Sequence, residues 1–174
     1  MLALQKRFFV YNDEKHLKIR EIPLAFCAKW LYNELKLYVG RRWRLGELFA
    51  VLSGKGGTGK TSVCAGIATA LAECGKKVLC IDCDIGLRNL DISLGMTESG
   101  ALSFLDVAEG NYPLDRAARH PGYLTLSFLT APMNRRADDI DPAAFEKMLC
   151  QAKKDYDYIF LDAPAGVDAG FQLA

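Results

Sequence analysis

Residues 53–62, SGKGGTGKTS, bring glycine, lysine and hydroxyl side chains together in one short stretch. Gly54, Gly59, Lys60 and Thr61 meet the spacing G-x-x-x-x-G-K-[ST]. In that spacing glycines let backbone N–H groups curl inward, the lysine ammonium reaches the β- and γ-phosphates, and the threonine hydroxyl ligates Mg²⁺. The expected phosphate-holding set is therefore Gly54, Lys55, Gly56, Gly57, Thr58, Gly59, Lys60, Thr61 and Ser62. One lysine is enough to hold a triphosphate, so Lys55 calls for a role of its own. Three aspartates, Asp82, Asp84 and Asp162, close two apolar runs downstream. Carboxylates so placed bind Mg²⁺ directly or through water, and one of them can orient a water for in-line attack on the γ-phosphate. Thr61, Asp82, Asp84 and Asp162 form the expected metal set.

Such chemistry needs a strand before the loop and a helix after it. ELFAVLS (47–53) is a mostly apolar run of strand length that ends at Gly54. TSVCAGIATALAECG then repeats apolar residues at helical spacing through Val63, Ile67, Ala70, Leu71 and Cys74, with Gly75 where a helix is capped. The N-terminus of that helix would turn its partial positive charge on the phosphates. Further along, KKVLCIDCD (76–84), YLTLSFLTAP (123–132) and YDYIFLDAP (156–164) read as strands, and SFLDVAEG (103–110) as a short helix. DPAAFEKMLCQAKKD (141–155) reads as a helix with Asp141 as N-cap, Pro142 in the first turn and Ala144, Phe145, Met148, Leu149 and Ala152 on one face. Strands alternating with helices predict an α/β fold with a mostly parallel, doubly wound sheet flanked by helices, whose ligands bind at the carboxyl ends of the strands. Asp82, Asp84 and Asp162 would all emerge on that edge.

The chain has 174 residues, 51% apolar, with a net charge of +1 and six cysteines. The charge is unevenly spread: residues 1–46 carry ten Lys/Arg against four Asp/Glu, and residues 47–174 carry twelve against seventeen. This divides the chain into a basic N-terminal extension (1–46) and an α/β domain (47–174). Within the extension, PLAFCAKWLYNELKLYVGRRWR aligns Leu24, Cys27, Leu31, Leu35 and Tyr38 along one helical stripe, next to Arg41, Arg42 and Arg44. Three readings stand for it: a binder of membrane surface or nucleic acid, a helix packed on the domain, or a start codon read too far upstream. No apolar run reaches transmembrane length and no signal peptide is evident, so a cytoplasmic location is expected. Cys80 and Cys83 form a C-x-x-C, but residues three apart on a strand face opposite sides, so core packing is expected rather than a metal or redox pair.

KGGTGKT resembles the deviant Walker A loop of the MinD/ParA family of P-loop ATPases, which carries an additional lysine at the position of Lys55. DCDIGLRNLD (82–91) is similar to that family's first switch, and YDYIFLDAPAGVDAGFQLA (156–174) to its second metal-binding strand and second switch. The resemblance runs from about Leu48 to Ala174. It implies a P-loop NTPase fold and an ATPase using ATP and Mg²⁺. Lys60 would hold the phosphates of its own subunit, and Lys55 would reach across a homodimer interface to the partner's nucleotide. Thr61 would ligate Mg²⁺, Asp84 would position the hydrolytic water, and Asp82 and Asp162 would support the metal through its waters. A γ-phosphate that gains a charge contact only in the dimer drives ATP-dependent dimerisation.

Within the family, GLRNLD followed by LGM resembles the branch that places the bacterial division septum. That branch implies a division inhibitor and an ATPase activator as protein partners, no specific nucleic acid, and peripheral association with the inner face of the cell membrane through a C-terminal helix absent from this chain. Alternatives are a flagellar-number regulator, which differs there mainly at Arg88, a partition-type ATPase, an iron–sulfur carrier ATPase, or a nucleotide-dependent binding module without turnover. Family members continue well past the second switch, so the C-terminal strands and the adenine contacts are expected to be missing. Residues 1–174 alone are accordingly expected to be poorly soluble and to hydrolyse ATP weakly or not at all.

Overall fold

A computed structural model describes residues 7–12, 22–23, 45–53, 55–133, 135–136 and 140–164. Among the described residues seven strands form one sheet: β1 (Arg7–Asn12), β2 (Ile22–Pro23), β3 (Glu47–Leu52), β4 (Val78–Asp82), β5 (Ala118–Arg119), β6 (Leu126–Leu129) and β7 (Tyr158–Asp162). Their order is β2-β1-β3-β7-β4-β6-β5. The four central strands β3, β7, β4 and β6 are parallel, while β1, β2 and β5 add antiparallel pairs at the two sides. Among the described residues the helices are α1 (Lys60–Glu73), α2 (Leu90–Leu94), α3 (Phe104–Ala108) and α4 (Pro142–Asp155), with a 3₁₀ turn at Leu114–Arg116.

Strands β4 and β7 are buried at every position, as strands of a sheet covered on both faces must be. Alternate residues therefore serve two cores. Leu79, Ile81, Ile159 and Leu161 face α3 and α4, where Phe104 and Phe145 meet edge to face with ring centroids 5.2 Å apart. Val78, Cys80, Tyr158 and Phe160 face α1, which presents Cys64, Ala65, Ala68, Leu71 and Ala72. Small residues on that helix let its backbone lie close to the sheet.

The expected helix ends are found. Asp141 caps α4 by accepting a hydrogen bond from the Ala143 N–H at 3.0 Å, with Pro142 in the first turn. Ser103 and Asp106 form a reciprocal capping box on α3. Past α1, Gly75 takes a left-handed backbone, φ 75°, just beyond the C-cap Cys74. The strand expected over 123–132 is shorter, Leu126–Leu129, because residues 120–125 turn under His120, whose Nδ1 accepts the Gly122 and Tyr123 N–H groups. Helix α2 and strands β1, β2 and β5 are additional to the expected elements.

β1, from the basic extension, lies antiparallel along β3 with Phe9 opposite Leu52 and Asn12 opposite Phe49. The helical stripe expected after Pro23 lies outside the described residues. No helix among the described residues is long and apolar enough to cross a membrane.

Candidate functional site

β3 delivers the chain to the loop at Ser53, which is 3% exposed. Its hydroxyl donates to the Lys55 carbonyl at 3.2 Å and accepts the Lys55 N–H at 3.3 Å. The Thr58 hydroxyl donates to the same carbonyl at 3.3 Å. Two side-chain hydroxyls thus pin the backbone beneath Lys55, while its side chain stands on an exposed residue. Gly57 and Gly59 carry positive φ of 68° and 91°, conformations that a side chain would strain. Gly59 is also the N-cap of α1, which begins with no side-chain cap, in contrast to α3 and α4. Lys60 opens the helix and is buried at 8% exposure; Thr61 is half-buried, and Ser62 is exposed. Gly54 lies outside the described residues.

The parallel register places Asp82 directly opposite Asp162, and Asp162 opposite Val51 at the end of β3. Both aspartates are almost fully buried. Asp162 accepts a hydrogen bond from the Thr61 hydroxyl and feels the Lys60 charge, yet burial outweighs both and raises its carboxyl to about 7. Its Oδ1 has no hydrogen-bond partner among the described residues. Burial also raises Asp82 to about 6, against hydrogen bonds from the Asp84 N–H to Oδ1 (2.9 Å) and the Leu90 N–H to Oδ2 (3.2 Å). Asp84, half-buried, lies two residues past β4; its Oδ1 accepts the N–H groups of Gly86 (3.3 Å) and Leu87 (3.2 Å).

Thr61, Asp82 and Asp162 therefore converge at the carboxyl edge, with Lys60 beside them and Asp84 in the adjoining loop. Two raised carboxyls and an orphaned buried oxygen next to a threonine hydroxyl are a donor set that a hydrated divalent cation would satisfy. Lys60 alone does not offset the cost of burying Asp162 in its charged form.

The structure adds residues that spacing did not single out. Ser53 precedes the glycine of the motif and stabilises the loop by an ordinary hydroxyl contact, for which its type and position were the only available signal. Thr130 lies at the end of β6 and meets the Asp84 loop only through the fold. Cys80 and Cys83 are fully buried on opposite sheet faces, and burial first, then the nearby aspartates, pushes the Cys83 thiol well above its usual range. Core packing, as expected from strand geometry, accounts for both.

The sequence profile of the CobQ/CobB/MinD/ParA nucleotide binding domain matches residues 49–157. The septum site-determining protein MinD of Synechocystis is 40% identical over 131 residues, 75% of this chain and 49% of that protein. The Bacillus subtilis protein of the same name is 36% identical over 133 residues, with the same shares. Among solved structures, the MinC:MinD cell division complex of Aquifex aeolicus matches with a TM-score of 0.63 and 43% identity over 73% of this chain and 50% of that one. MinD of Pyrococcus horikoshii, solved with Mg-ADP, matches with a TM-score of 0.62 and 32% identity over 73% and 52%. The chain spans about half the length of the relatives it matches. It belongs to the CobQ/CobB/MinD/ParA family of nucleotide-binding domains, with a P-loop fold like that of MinD.

Proposed function

We propose that this chain is a MinD-like, Mg-dependent ATPase module, weak in turnover on its own, that dimerises on binding ATP and takes part in placing the division septum. One observation carries the reading: the loop Ser53–Ser62 and the buried pair Asp82 and Asp162, one oxygen of which is orphaned, meet at a single sheet edge. Lys60 and the loop N–H groups would hold the phosphates, with Thr61 as the metal's direct protein ligand and Asp82 and Asp162 on its waters. Mg²⁺, when bound, supplies the charge that the phosphates and these carboxylates lack. Asp84 would orient the attacking water, and Lys55, exposed on a pinned backbone, would contact the nucleotide of a partner copy.

In this reading residues 47–174 are the ATPase portion and residues 1–46 a basic extension. The septum-determining relatives and the MinC:MinD complex support a division-inhibitor partner. An activating partner and peripheral association with the inner membrane face complete the proposal. A second reading, a nucleotide-dependent binding module without turnover, is favoured by the engagement of Asp84 Oδ1 with its own loop.

Sedimentation velocity with Mg-ATP, Mg-ADP and no nucleotide, combined with phosphate release, separates the two readings. The ATPase reading predicts a dimer with Mg-ATP alone, its loss in Lys55→Ala, and a persistent ATP-bound dimer without phosphate release in Asp84→Ala. Dimers that form without any phosphate release from the unsubstituted chain favour the binding module, and a monomer under all conditions contradicts the dimer switch.

A further inference from the structure

Arg88 is the one non-glycine residue with a left-handed backbone among the described residues, at φ 49°. Side chains disfavour that region, so some contact must hold the residue there. Its N–H donates to the Asp84 carbonyl at 3.2 Å, closing the turn that begins at the acidic residue. Its Nε donates to the Thr130 hydroxyl at 3.1 Å, 42 positions further along the chain. Thr130 is 5% exposed and fixed at both backbone groups: its N–H donates to the Leu102 carbonyl at 3.0 Å, and its carbonyl accepts the Phe104 N–H at 2.9 Å. The hydroxyl is thus a rigid anchor between the end of β6 and the start of α3. At the other side of the same loop, Asp82 accepts the Asp84 and Leu90 N–H groups. The segment from Cys83 to Asn89 is therefore tied to Asp82 at both ends and, at Arg88 near its C-terminal end, to Thr130.

We infer that the Arg88–Thr130 hydrogen bond is a latch that sets the position of the Asp84 loop. Arg88 is a positioning residue that acts through Asp84, and Thr130 is its anchor. The left-handed bend aims the guanidinium across the sheet edge, and the bond to a buried hydroxyl stabilises the bend in return. With the latch closed, the loop is held at Arg88 as well as by Asp82; with it open, only the two bonds to Asp82 and the bonds within the loop remain. The functional consequence rests on the reading of Asp84 as the residue that orients the attacking water, whereas the latch itself does not.

Trypsin cleaves after arginine, so the Arg88–Asn89 bond reports loop opening in the full chain without any nucleotide. Thr130→Val removes the acceptor at nearly constant shape, and Thr130→Ser keeps it. Loss of one such hydrogen bond is expected to speed cleavage at Arg88 roughly three- to tenfold in the valine variant, with the serine variant close to the unsubstituted chain. In Arg88→Ala, where that cleavage site is gone, faster hydrogen exchange of the Leu87–Leu90 amides reads the same opening from the other partner. Phosphate release from Mg-ATP tests the link to the site: Thr130→Val should release phosphate more slowly than the unsubstituted chain, while both bind a fluorescent ADP alike. Faster cleavage with unchanged phosphate release upholds the latch and shows that it does not position Asp84 for the attacking water. Equal cleavage in all three chains overturns the latch, whether or not nucleotide binds.

Discussion

Asp162 sits where burial, a neighbouring Asp82 and the Lys60 ammonium compete, and burial wins by raising its carboxyl to about 7. A carboxyl raised from its ordinary 3.8 to about 7 binds a proton more tightly folded than unfolded between those values. Stability from this group is therefore fully present below the unfolded pKa and lost as pH rises through about 7. Asp82, raised to about 6, acts in the same direction. Without Mg²⁺ or nucleotide, the melting temperature is predicted to fall by several degrees between pH 5 and pH 8, and Asp162→Asn should flatten most of that fall. A rise in melting temperature over that range would show that the carboxyls are compensated by something other than a cation. At Lys60, half of the loop's charge and the first turn of α1 coincide, so Lys60→Ala should weaken nucleotide affinity by at least tenfold with little effect on the melting temperature. Equilibrium titration beside thermal melting checks both parts.

The elements that carry these residues were legible to different degrees. β4 and β7 announce themselves because every position is buried, and β3, α1 and α4 through apolar residues on one face, with a side-chain cap at the start of α4 and a glycine past the end of α1. β1, β2 and β5 are short or lie in the basic extension, and their pairing depends on which sheet edge is open rather than on their own pattern. β1 covers the outer edge of β3. Deleting residues 1–23 should expose that edge and give concentration-dependent association on size exclusion; a deletion variant that stays monomeric would show that the edge needs no cover. Gly46 marks another contact between elements. Its N–H donates to the Lys153 carbonyl at 2.6 Å, and a Cβ built there would run into the Tyr156 carbonyl oxygen. Gly46→Ala should cost about 1–3 kcal/mol in chemical denaturation by forcing the end of α4 away from β3. An unchanged denaturation midpoint would mean the two segments separate freely.

At the scale of the whole molecule, the phosphate loop could be read from spacing alone, since lysine, threonine and glycine occupy consecutive positions of one short segment. Asp82 and Asp162 could be assigned to one edge only by counting strands, and the register that sets them opposite each other is a property of the sheet. Ser53, Arg88 and Thr130 remained out of reach because their contacts depend on loop geometry and on a pairing across 42 residues. The central claim is that this sheet edge is a Mg-nucleotide site. Its most direct test is equilibrium binding of a fluorescent ATP analogue to the 174-residue chain, with Mg²⁺ and with EDTA. The site as described predicts saturable 1:1 binding that tightens at least tenfold with Mg²⁺, with Asp162→Asn losing that gain. Binding that is absent, or that is indifferent to Mg²⁺ and to Asp162→Asn, would contradict it.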